Sequence, residues 1–149
     1  APQPEPPVES PQPLPPPVVR EPTLSAASRA LIGQAQSQTA SKNYAVAAAS
    51  IERALRIEPD NALLWIELGK VRQAEGNYVQ AENMARKAIS MSVQAPRAQA
   101  QAWELVADTY RARGKNLEAH QADAKAESLT RRERRPTPAA VRRAPPTPP

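Results

Sequence analysis

Residues 61–90 read NALLWIELGKVRQAEGNYVQAENMARKAIS, and this stretch decides the fold. Asp60-Asn61, just after Pro59, supplies an N-cap: a short polar side chain able to accept a free backbone amide at a helix start. Gly76 closes the run, because the left-handed residue that ends a helix is least strained as glycine. A second apolar run begins at Tyr78. The spacing predicts two antiparallel helices over 61–75 and 78–92.

The same hairpin recurs on both sides. Tyr44 and Tyr78 are 34 residues apart, as are Ala47 and Ala81, and Ala54 and Ala88. Trp65 and Trp103, Gly76 and Gly114, Ala81 and Ala119, and Ala88 and Ala126 are 38 apart, which is the first period with about four extra residues around Ala95–Gln99. Such a period marks stacked supersecondary units, none of which buries its apolar face alone. An all-α fold of three helix hairpins follows, with helices near 25–40, 44–57, 61–75, 78–92, 97–113 and 116–129.

At these positions the chain resembles the tetratricopeptide-repeat (TPR) family. With repeats counted from Ser28, Ala62 and Ala100, the family's Trp position holds Leu31, Trp65 and Trp103, and its small eighth position holds Ala35, Gly69 and Ala107. The turn glycine is Lys42, Gly76 and Gly114; the following aromatic is Tyr44, Tyr78 and, as a departure, Asn116. Ala47, Ala81 and Ala119 precede Ala54, Ala88 and Ala126 at the two alanine positions, and Pro59 is the closing proline. All five aromatic residues, Tyr110 included, fall on signature positions. Large residues such as Trp65 and Tyr78 are expected to fill the space between helices, while alanines let backbones approach. Asn116 and Asp123 put polar groups in the last repeat, which is expected to serve as the polar end cap such arrays need.

Proline confines this domain to residues 24–130. Ten of the 18 prolines lie at or before Pro22 and six at or after Pro136, and dense proline cannot pack as helix. Residues 1–23 therefore read as a disordered, polyproline-II-prone spacer, reaching about 75 Å if extended. Residues 131–149 read as a disordered Arg/Pro tail, with Arg131–Arg135 fraying the last helix. Charge is segregated: the core from Ser28 to Leu129 has 13 basic and 11 acidic residues, whereas the chain from Thr130 onward has six arginines and one glutamate. That tail has no interleaved aromatics, so base stacking has no platform there and no specific nucleic-acid contact is expected.

Catalytic chemistry finds no foothold. There is no cysteine, and His120 is the single histidine, read as a solvent-facing helix residue. Neither a zinc site nor a nucleophile–base pair can be assembled, and the four glycines never form a phosphate-cradling loop. Enzymatic activity, cofactors and small-molecule substrates are not expected.

The TPR resemblance implies instead that the first helix of each pair lines a concave, peptide-binding groove. Carried over by position, that groove takes Arg29, Ile32 and Gln36 from the first repeat. Leu63, Ile66, Lys70 and Gln73 come from the second, and Gln101, Glu104, Asp108 and Arg111 from the third. The family's chaperone-tail clamp is not matched: its cationic and amide positions hold Ile32, Gln36, Glu67, Gln101 and Leu105. The whole layout, a Pro/Gln-rich leader followed by three repeats, looks like that of small Gram-negative outer-membrane lipoproteins that activate class A penicillin-binding proteins. The resemblance implies a lipidated cysteine upstream of Ala1, no other membrane contact, and a periplasmic location on the outer membrane. A pilotin-type TPR lipoprotein for pilus or secretion assembly and a cytoplasmic TPR scaffold with a basic tail stand as alternatives.

Overall fold

A computed structural model describes residues 2–8, 10, 11, 13 and 20–134. Expectations that fall on other positions, among them Pro15–Pro17, Arg135 and the tail arginines Arg142 and Arg143, lie outside the described residues. Six helices follow one another: α1 (Ala26–Ala40), α2 (Tyr44–Ile57), α3 (Ala62–Ala74), α4 (Tyr78–Met91), α5 (Pro96–Ala112) and α6 (Asn116–Arg134). The fold is all-α, and no strand occurs among the described residues.

Local chemistry fixes the helix ends. Ser25 caps α1, Asn61 caps α3 and Asn77 caps α4, each side chain accepting an amide of the first turn. All three hairpin turns close in one way. The amides of Asn43, Asn77 and Lys115 donate five residues back to Gln38, Arg72 and Tyr110, each at 2.8 Å. The preceding residue in each turn is left-handed: Lys42 at φ 63°, Gly76 at 87° and Gly114 at 73°. This is the Schellman closure, which satisfies carbonyls that the helix end would otherwise orphan.

Each hairpin packs on the next. The first helices of the pairs touch one another, α1 with α3 and α3 with α5, but α2 does not reach α4, nor α4 reach α6. The array therefore has an inner row (α1, α3, α5) and a more widely spaced outer row (α2, α4, α6). Alanine makes the approach possible: Ala47, Ala54, Ala81, Ala85 and Ala88 are fully buried. Two apolar cores result, one between the first and second hairpins around Ile51 and Leu64, the other between the second and third around Ile66 and Val106. Trp65 packs against both.

Two features depart from the sequence-based expectations. The extra residues before the third repeat are not one of them, being helical as the expected 97–113 span implies: α5 starts at Pro96 and has 17 residues against 13 in α3, so the insertion adds about one turn at its N-terminus. Helix α6 runs through the arginine segment to Arg134 rather than fraying after Leu129. No breaker intervenes before Pro136, and Arg131 pairs with Glu127 one turn back at 2.8 Å.

The second departure is at the start, where residues 20–23 lie against the repeats although they read as spacer. Asn61 donates to the Thr23 carbonyl at 2.9 Å, and the Arg20 amide donates to the Gln94 carbonyl at 3.2 Å. The Glu21 carboxylate accepts the amides of Arg97 and Ala98 at 2.7 and 3.1 Å. Those amides belong to the inserted turn of α5, whose own N-cap position is Ala95 and makes no side-chain cap. A negatively charged acceptor from more than 70 residues away thus caps that helix.

The candidate binding face

Expected groove residues sort into two groups once their surroundings are known. Arg29, Gln36, Lys70, Gln101, Glu104, Asp108 and Arg111 are exposed on the inner helices, and Gln73 is half-buried. Ile32 and Ile66 are not surface residues: Ile32 is 8% exposed within the first core and Ile66 is 1% exposed within the second. Ile66 shares its core with Ala102, and so small a residue lets α5 come against α3 and seal the isoleucine in. Leu63 is half-buried against the same core. The inner face is consequently more polar than the sequence suggested.

Its charges are also less free than their positions implied. Lys70 pairs with Glu67 at 3.2 Å. Arg111 lies between two carboxylates, Asp123 at 2.5 Å and Asp108 at 2.6 Å. Hydrogen bonds to Asp123 and then Asp108 push the Arg111 pKa up, so the guanidinium stays charged. Asp123 belongs to α6 and was not expected to take part in this face. A signal existed, because it occupies a repeat position filled by apolar Ile51 and Ala85 in the first two hairpins. Arg29 donates twice to the Leu24 carbonyl, at 3.1 and 2.9 Å, which leaves it turned toward the N-terminal segment. With Glu104, Asp108 and Asp123 set against Arg111, the third-repeat end of the face carries excess negative charge.

The repeat-signature residues take framework roles. Ala47, Ala81 and Ala119 are buried at helix contacts, and Gly76 and Gly114 form the turns. Tyr44, Trp65, Tyr78, Trp103 and Tyr110 are half-buried. Gly69 marks the tightest approach: a Cβ there would sit 2.6 Å from the Leu105 side chain and 3.3 Å from the Ala81 carbonyl oxygen. His120 is exposed on α6. Among the described residues no three His, Cys, Asp or Glu side chains gather to hold a metal, and no helix is long and apolar enough to cross a membrane.

Comparison with known proteins agrees with this architecture. The tetratricopeptide-repeat family profile matches residues 38–108. The globular C-terminal domain of LpoP from P. aeruginosa superposes with a TM-score of 0.65 at 37% identity, covering 70% of this chain and 99% of that domain. MamA aligns at TM-score 0.60 and 19% identity over 72% of this chain and 61% of its own. The Sgt2 TPR domain from Aspergillus fumigatus aligns at 0.52 and 20% over 83% and 87%. These last two likenesses concern the fold alone. No curated protein matches the chain significantly by sequence.

Proposed function

The chain belongs to the tetratricopeptide-repeat family, and from that premise we propose that it binds and activates a class A penicillin-binding protein from the periplasmic side of the outer membrane. The observation that carries this reading is the 37% identity to the LpoP globular domain over 99% of that domain's length. Two other features support it. Amides and charges line an accessible inner face (Gln36, Lys70, Gln73, Gln101, Glu104, Asp108 and Arg111), and a proline-rich leader precedes the folded repeats. A lipid-bearing cysteine upstream of Ala1 would complete the anchor, and the codon preceding Ala1 tests that part.

Activation on this reading is non-covalent. A partner with a resting and an active conformation shifts toward whichever binds the repeats better, and a difference of about 1–3 kcal/mol shifts the equilibrium several-fold or more. The inner face would supply that difference through hydrogen bonds and salt-sensitive charge contacts, with Leu63 as its partly exposed apolar element.

The test is polymerisation of lipid-linked peptidoglycan precursor by a purified class A synthase from the same organism, with and without the full chain. Acceleration is expected, weakened by Lys70→Glu or Glu104→Lys, both exposed substitutions that should leave the helical signal intact. An unchanged rate together with no detectable binding would remove the synthase and leave a TPR module with another partner.

A further inference from the structure

The outer helices carry a second charged feature, opposite in kind to the inner face. The twenty-sixth residue of every repeat is basic: Arg53 on α2, Lys87 on α4 and Lys125 on α6, all three exposed. Two of them sit over the tryptophan of their own hairpin, Lys87 at 5.9 Å from the Trp65 ring centre and Lys125 at 5.1 Å from that of Trp103. A lysine laid along an aromatic face is held in place while its ammonium group stays in water.

Among the described residues none of the three has a carboxylate partner, although neighbouring cations do. Glu52 is taken by Arg72 at 3.8 Å and Glu82 by Arg86 and Arg113 at 3.0 and 3.2 Å. Asp123 goes to Arg111 and Glu127 to Arg131. Adjacent carboxylates are thus already neutralised, and the row keeps its full positive charge. Beside its third member opens a groove of about 320 Å³ between α5 and α6. Trp103, Lys125, Gln99 and Ser128 line it, offering an aromatic surface, an amide and a hydroxyl next to the cation.

We propose that this outer row is a second docking surface, which takes an acidic protein segment laid across α2, α4 and α6 with its carboxylates meeting Arg53, Lys87 and Lys125. The spacing favours a protein over a phosphate polymer. Duplex DNA carries about one charge per 1.7 Å, far denser than one cation per repeat, whereas acidic side chains can be placed to match. The tryptophan rings lie half-buried beneath the lysines, whereas Val46, Ile57, Val79 and Leu117 are exposed on the same outer helices, so anionic vesicles enter the test as the competing surface.

The chain's only two tryptophans are those under the row, so their fluorescence reports directly on it. The probe is a short end-blocked peptide of alternating glutamate and alanine, titrated into the full chain at low ionic strength. A saturable tryptophan shift is expected, with affinity falling about tenfold or more in Lys87→Glu/Lys125→Glu, equivalent to about 1.4 kcal/mol. The charge-matched Lys42→Glu/Lys115→Glu variant should bind as the parent does. Should the first pair fail to fold by circular dichroism, Lys87→Gln/Lys125→Gln replaces it with the same expectation. Equal losses in both charge-matched pairs, no tryptophan response, or a stronger response to duplex DNA or anionic lipid vesicles would overturn the proposal. No synthase enters this experiment, so its outcome is independent of the role proposed for the inner face.

Discussion

Arg111 on α5 and Asp123 on α6 meet at 2.5 Å, and the same guanidinium holds Asp108 at 2.6 Å. This cation between two acids ties the last two helices together and is already satisfied within the chain. Both partners are more than 40% exposed, so each pair is worth only about 0.2–1 kcal/mol. Arg111→Gln should therefore lower the melting temperature slightly, by leaving two carboxylates facing each other. The deficit should shrink in high salt as the repulsion is screened. A deficit that salt does not touch would mean packing, not charge, is what the arginine contributes.

Glu58, at the end of α2, ties that helix to the start of α1 within the first hairpin. Its carboxylate accepts the hydroxyls of Ser28 and Ser25 and the Ser25 amide. These bonds, the one from Ser28 foremost, hold its pKa below the ordinary 4.5. A depressed carboxylate stabilises the fold above its unfolded-state pKa, and that contribution is lost as pH falls through the folded value. Stability should thus decline on acidification below about pH 4.5, and Glu58→Gln should flatten this limb of the melting-temperature profile. Glu58→Ala strands the buried Ser28 hydroxyl and is expected to cost about 1–3 kcal/mol at neutral pH by chemical denaturation.

Two helical glycines should respond in opposite senses to alanine. At Gly69 the added methyl drives into Leu105, itself packed in the second core, and destabilisation of about 1–3 kcal/mol is expected. At Gly33 nothing lies within 4 Å, and relief of glycine's helix penalty should stabilise by about 0.5–1 kcal/mol. Chemical denaturation of both variants decides the matter.

Trp65 is the one partly buried side chain of α3 that touches both cores and has an aromatic ring. Trp65→Ala should cost about 3–5 kcal/mol, enough to unfold much of so small an array at ambient temperature. A circular-dichroism melt superimposable on that of the parent would contradict the packing described.

Removing the cap on α5 should be felt at particular amides. Glu21→Ala is expected to cost about 0.5–2 kcal/mol and to speed hydrogen exchange at Arg97 and Ala98, the two amides it accepts. Unaltered protection there would show that the contact contributes nothing.

The array was legible because its punctuation is local. Glycines at the turns, asparagine caps and a proline at the first position of α5 act within a few residues of the ends they set, and so the starts and stops of the first five helices could be read to within about one residue. What could not be read depends on approach between distant segments. Ile66 takes its burial from Ala102 and its neighbours on another hairpin, a closeness that spacing alone does not encode. Asp123 becomes part of the inner face only because α6 brings it to Arg111. Glu21 follows a proline-rich leader and resembles spacer until the inserted turn of α5 is present to receive it.

That last contact also decides where a pull on the preceding chain would be felt. Numbered along the chain, the leader joins the first repeat; in space it is made fast at the corner between α4 and α5, where Arg20 and Glu21 are held. Any pull on the leader is therefore borne first by the third repeat, and α1 is spared the load until Glu21 lets go. The segment from Arg20 to Leu24 acts as a mooring line made off amidships. Its slack is the distance between that corner and the start of α1, released only when the force exceeds what one carboxylate and a few backbone bonds can resist.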